Sequence, residues 1–215
     1  MPAARVVVVK VLHISVLARM WFDAAHQAGY DIAAVLAVRD PQEVIGSLAK
    51  LMDASPQLTS ALWLKYNLLA ERETRGLPRV FVDYSNFLDD WSREIKRISH
   101  TLGVDLDTGD RAAVEKFLAK DMRHQRQRGP IIEPFGTDWL SAAYEALASA
   151  ARDEPWEKSS LDRVFDGFRA SEHGFRTAIE DFQGQFNRRY RFSRAFIKPL
   201  FEGVALVHGR RGTWA

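Results

Sequence analysis

A β-branched run that turns directly into a capped helix constrains this chain more than any other feature. Residues 32–38 read IAAVLAV, apolar enough for a strand buried on both faces of a sheet, and Arg39-Asp40-Pro41-Gln42-Glu43 follows at once. Asp40 suits the N-cap, Pro41 the first helical position and Glu43 the reciprocal capping position, so three neighbouring residues specify one helix start. Two further runs, Val6–Val9 and Arg79–Tyr84, have the same buried-strand character. Between them lie helical periods over 16–28, 41–52 and 56–75, the last followed by Gly76 and Pro78. Strands alternating with helices predict an α/β architecture around a parallel sheet.

The next helix carries Trp91, Ile95, Ile98 and Leu102 at steps of four, three and four, with Gly103 as its C-cap, and should pack on the sheet. Beyond Asp105 the strand signals stop, and helical patterns cover 111–120, 139–151 and 160–185. QRQRGPIIEPFGTD, residues 125–138, is rich in Pro, Gly and charge and reads as a linker or mobile loop. The expected organisation is an α/β core over 1–128 and a helical C-terminal region over 129–215.

In open α/β sheets, ligands bind in the crevice beyond the strand C-termini, and helix starts there favour anions. Arg39 lies at that edge, and Ser47 follows about two turns into the helix, so a guanidinium and a hydroxyl can clamp a phosphate. The pattern R-D-P-x-E-V-x-x-S over Arg39 to Ser47 resembles the motif with which the sulfotransferase family grips the 3′-phosphate of 3′-phosphoadenosine 5′-phosphosulfate. Residues 61–91, ALWLKYNLLAERETRGLPRVFVDYSNFLDDW, are similar to the helix, strand and Y-x-x-L turn that follow in bacterial members. The similarity runs over roughly residues 5 to 125. It implies a three-layer, parallel-sheet, P-loop-like fold with a helical C-terminal part. It also implies the phosphosulfate donor as cofactor, with Arg39 and Ser47 on its 3′-phosphate and Tyr84 beside its adenine. Lys10 ends a run that resembles the family's V-K-D-P-R segment and would be a further donor contact, although Val11, Leu12 and His13 stand where Asp-Pro-Arg is expected.

Sulfuryl transfer, like phosphoryl transfer, depends on positioning and on stabilising charge at the leaving phosphate. The family supplies this from an N-terminal Lys-Ser or Lys-Thr loop after its first strand, and no Gly-rich Lys-Ser or Lys-Thr element in a strand-to-helix context occurs in this sequence. The expected fold is therefore incomplete, lacking its first strand and phosphosulfate loop, and no catalytic residue is assigned. An upstream start, a non-catalytic fragment or a partner chain that completes the site each account for the gap. A sheet without that strand would carry an unpaired edge and apolar surface, which favours association with a partner or a second copy. The acceptor is a hydroxyl or amine on a carbohydrate, lipid or small molecule.

Cysteine is absent, which excludes disulfides and thiol catalysis, and the six scattered histidines lack metal-ligand spacing, so no metal is expected. A formal net charge of +2 does not indicate a nucleic-acid partner. KDMRHQRQRG at 120–129 reads as a solvated basic face. The tail NRRYRFSRAFIKPLF at 187–201 mixes cations with aromatics, a composition suited to core packing and also to peripheral contact with an anionic membrane. With no leader or membrane span in the opening residues, a cytoplasmic setting is expected. Paired carboxylates at Asp89/Asp90 and Asp105/Asp107 fit helix capping and turns.

Overall fold

The computed structural model describes residues 6–11, 13–52, 54–106, 110–118 and 130–190, with side chains at 51–52 and 175–190 left undescribed. It is a mixed α/β protein, mostly helical, around a small parallel sheet. The order is α1 (Ala18–Gln27), β1 (Ala34–Val38), α2 (Pro41–Met52), α3 (Pro56–Glu73), β2 (Arg79–Asp83), α4 (Tyr84–Asp89), α5 (Trp91–Leu102), α6 (Arg111–Leu118), α7 (Trp139–Ala151) and α8 (Lys158–Tyr190). The chain divides into two compact units, 1–166 and 167–215, so α8 begins in the first and ends in the second. The boundary expected near Arg128 lies outside the described residues.

β1 and β2 pair in parallel with Leu36 opposite Phe81 and Val38 opposite Asp83. Parallel neighbours require a long crossover, which α2 and α3 provide. One sheet face carries Leu36, Val38, Arg79 and Phe81. It is covered by α3 and α7, with Phe81 edge-on to Trp156 at 5.7 Å. On the other face Val80 and Val82 meet Ile98 of α5, with Ile95, Leu102, Phe87 and Leu106 around them. The stripe expected on α5 is therefore the element that covers this face, and Gly103 ends it in the left-handed conformation at φ 64°. Asp90 caps its start, accepting from the Arg93 N–H at 3.0 Å.

Three expectations change. Val6–Val9 forms no strand among the described residues and stays exposed, because no ladder partner lies beside it. β1 is buried on one face only, with Leu36 and Val38 inside and Val35 and Ala37 exposed, because α5 covers β2 and does not cover β1. The segment 130–138 is tied down: Glu133 caps α7 by accepting from the Leu140 and Ser141 N–H groups and the Ser141 hydroxyl, at 3.1, 2.7 and 2.7 Å. A carboxylate at a helix start is favoured by the exposed N–H groups and the helix dipole. Residues 125–129 of that loop, the basic cluster at 120–129 and the tail beyond Tyr190 lie outside the described residues.

A buried carboxylate joins α3 to β2. Glu71 is fully buried and holds Arg75 through contacts of 2.7 to 3.0 Å and Arg79 at 3.1 Å, while Arg79 also donates to the Glu71 carbonyl at 2.6 Å. Asp162 at the start of α8 pairs with Arg75 at 2.8 Å and extends the network. Removing one member of a buried pair strands the charges of the others. Glu71→Ala should lower unfolding stability by about 3–5 kcal/mol in urea titration. Arg19→Ala, which breaks a solvent-exposed pair with Glu73, should cost less than about 1 kcal/mol. Equal effects of the two substitutions would refute the assignment.

Candidate functional site

Parallel pairing brings the C-terminal ends of β1 and β2 to one edge, and each strand hands over directly to a helix there. Asp40 caps α2, accepting from the Gln42 and Glu43 N–H groups at 2.7 and 3.3 Å. Asp83 caps α4, accepting from Ser85 and Asn86 at 2.8 and 3.0 Å. Arg39 and Tyr84, one on each strand end, meet across the gap: the guanidinium carbon lies 4.5 Å from the centre of the Tyr84 ring.

Arg39 is held from three directions. Its Nε donates to Glu43 Oε2 at 3.0 Å, its ring contact is Tyr84, and its carbonyl accepts the Trp63 indole N–H at 3.0 Å. Glu43 was expected to reach back to the Asp40 backbone in a capping box; instead its carboxylate takes the guanidinium, because a charge-assisted hydrogen bond is roughly twice as strong as a neutral one. No hydrogen-bond partner for the Nη nitrogens of Arg39 occurs among the described residues. In the same turn the amide nitrogen of Gln42 is buried with no partner.

Of the other residues singled out, Ser47 is half-buried on α2, one turn beyond Glu43, and makes no hydrogen bond to Arg39 among the described residues. Lys10 is exposed on the unpaired segment before α1. The structure thus brings Arg39 and Tyr84 together, sets Ser47 along the helix that starts beside them, and gives Lys10 no contact with any of the three.

Two aromatic residues join this edge without having been marked in the sequence. Trp63 of α3 holds the Arg39 carbonyl and packs edge-on to Tyr144 of α7, with ring centres 6.3 Å apart at 69°. Burial, reinforced by the negative charges of Asp40, Asp83 and Glu43, pushes the Tyr144 phenol up to about 12. The one sequence signal for Tyr144 is its place as a polar aromatic within the small-residue run SAAYEALASAA.

The electrostatic balance is mixed. Arg39 supplies a cation, but Asp40, Glu43 and Asp83 surround the edge and the two caps already occupy the helix-start N–H groups. An incoming anion therefore has the Nη edge of Arg39 left to bind, and meets the repulsion of the Glu43 carboxylate beside it. A separate cleft of about 620 Å³ lies along α5, lined by Trp91, Ile95, Lys96, His100 and Arg111 among others, and includes none of Lys10, Arg39, Ser47 or Tyr84. No helix among the described residues is long and apolar enough to cross a membrane. Comparison with protein-family models, with curated proteins and with solved structures gave no match to this chain.

Because the folded protein holds the Tyr144 proton more tightly than the unfolded chain does, stability is intact below the ordinary tyrosine range near 10. It falls as pH rises toward 12. Spectrophotometric titration should show one tyrosinate step near 12 that disappears in Tyr144→Phe, and this variant should lose stability less steeply above pH 10. An unchanged titration curve in the variant would refute the environment assigned to Tyr144.

Proposed function

We propose that the strand-end site is the nucleotide half of a sulfotransferase-type donor site, with Arg39 and Ser47 on the 3′-phosphate of 3′-phosphoadenosine 5′-phosphosulfate and Tyr84 beside its adenine. One observation carries the reading: Arg39 lies against Tyr84 at the ends of two adjacent parallel strands, where a phosphate and a base can be held side by side. The Nη edge of Arg39 and the buried amide of Gln42 are donors suited to phosphate oxygens. The residues present therefore fit the 3′-phosphate end of the donor. No backbone cradle for its 5′ end occurs among the described residues.

When bound, the nucleotide supplies the sulfuryl group that passes in line to an acceptor hydroxyl or amine. The chain's own part is to bind and orient: Trp63 fixes the Arg39 backbone, Tyr84 lies against the guanidinium, and Glu43 holds its Nε so that the Nη edge is presented to a phosphate. The reading includes the expected fold, that of an incomplete P-loop-like sulfotransferase, and a cytoplasmic setting. A second reading, a non-catalytic nucleotide-binding or interaction protein, is favoured by the ion pair of Arg39 with Glu43, since a guanidinium already neutralised in this way attracts an anion less.

Calorimetric titration with 3′-phosphoadenosine 5′-phosphate tests the proposal. Arg39→Ala should weaken binding by about 10- to 100-fold, the loss of one or two charge-assisted hydrogen bonds. Glu43→Gln should tighten it severalfold by releasing the guanidinium, and adenosine 5′-phosphate should bind at least about tenfold more weakly for want of the 3′-phosphate. A folded wild-type chain that takes up no 3′-phosphoadenosine 5′-phosphate would overturn the proposal.

A further inference from the structure

The two edges of the sheet are treated differently. In β2 the Phe81 carbonyl faces away from β1 and accepts Arg97 Nη2 at 2.6 Å, and Arg97 is itself held by Glu94 and Asp153, so that edge is capped by charge. In β1 the Ala34 N–H pairs toward β2, on the Pro78 carbonyl at 2.9 Å; by alternation the backbone groups of Val35 and Ala37 point the other way. Among the described residues nothing pairs with that edge. Val35 is 50% exposed and Ala37 is exposed as well, so the adjoining face is equally bare.

The same chain presents an apolar arm that pairs with no strand among the described residues. Val6, Val7, Val8, Val9 and Val11 are exposed, with Val8 at 79%, and Val16, Leu17 and Met20 behind them are exposed too. The base of this arm is fixed on α3, by His13 Nδ1 against the Tyr66 hydroxyl at 2.6 Å and Arg19 on Glu73 at 3.2 Å. Helix α3 covers the Arg79 face of the sheet, opposite the bare face of Val35 and Ala37. The arm is therefore rooted on the side of the sheet that α3 covers, opposite the bare face.

We infer that two copies of this chain exchange arms, the Val6–Val11 run of each adding as a strand to the open edge of β1 in the other, with Val16, Leu17 and Met20 laid over the bare Val35 face. Each copy carries one unpaired edge and one unpaired β-branched run, so a closed two-fold dimer satisfies both. The occupant is a second copy because the arm and the edge that it matches belong to one sequence. This inference is independent of the nucleotide reading.

Sedimentation equilibrium of the full chain should show a discrete dimer. Val8→Pro removes a backbone N–H from the ladder at a residue that is 79% exposed in the single chain, and should give a monomer with unchanged circular dichroism. The chain has no cysteine of its own, so a Val8→Cys chain mixed with an Ala37→Cys chain should form a disulfide-linked dimer that neither chain forms alone. A monomer at all concentrations, a dimer indifferent to Val8→Pro, or a double variant Val8→Cys/Ala37→Cys that closes within one chain would each overturn the inference. Polydisperse aggregation in place of a dimer would overturn it as well.

Discussion

Everything in the first unit depends on the parallel pairing of Ala34–Val38 with Arg79–Asp83. Parallel strands cannot be joined by a tight turn, so α2 and α3 must cross over between them, and both strand ends then fall on one edge. That geometry sets Arg39 beside Tyr84, although 45 residues separate them in sequence. A sheet of two strands buries little by itself, and its stability comes from the helices on its faces.

Those helices are tied on by arginines as much as by apolar contact. Glu71 and Glu94 are buried carboxylates, each answered by guanidinium groups that also reach backbone carbonyls of another element or of their own helix. Arg79 links β2 to α3, and Arg97 links the far edge of β2 to α5 and Asp153. Buried charges of this kind contribute little net stability, but removing one partner is costly, so they favour this packing over alternatives with the same apolar content. β2 is enclosed on both faces and along its edge; β1 is enclosed on one face and has its second edge open. That asymmetry explains why Val35 is exposed while Val80 and Val82 on the same face are buried.

At the strand ends the same economy of charge governs binding. Glu43 is near enough to neutralise Arg39, and the caps Asp40 and Asp83 add further negative charge, which joins burial in raising the Tyr144 pKa. A phosphate on the Nη edge of Arg39 would share the guanidinium with Glu43, so affinity would depend on the balance between its charge-assisted hydrogen bonds and the repulsion of the neighbouring carboxylates. Stacking on Tyr84 keeps the guanidinium oriented in either state.

Local patterns were legible wherever neighbours in sequence decide the outcome. The turn at Asp40-Pro41, the stripe from Trp91 to Leu102 with Gly103 behind it, and the strand at Arg79–Asp83 are set by capping, periodicity and β-branching, interactions that span a few residues. The partner of Glu43 was not legible, because a backbone N–H and a guanidinium compete for it and only the folded geometry ranks them. Nor was the presence of Trp63 and Tyr144 at the site, since each comes from a separate helix brought in by the crossover and by α7. Val6–Val9 has the composition of a strand and is not one here, because a strand exists only where another backbone completes its hydrogen bonds. The sequence by itself determined the helices other than α4 and the turn that carries Arg39. Tertiary structure alone decided which apolar runs find a ladder, which carboxylate holds Arg39 and which edge stays open, because these depend on contacts between residues far apart in the chain.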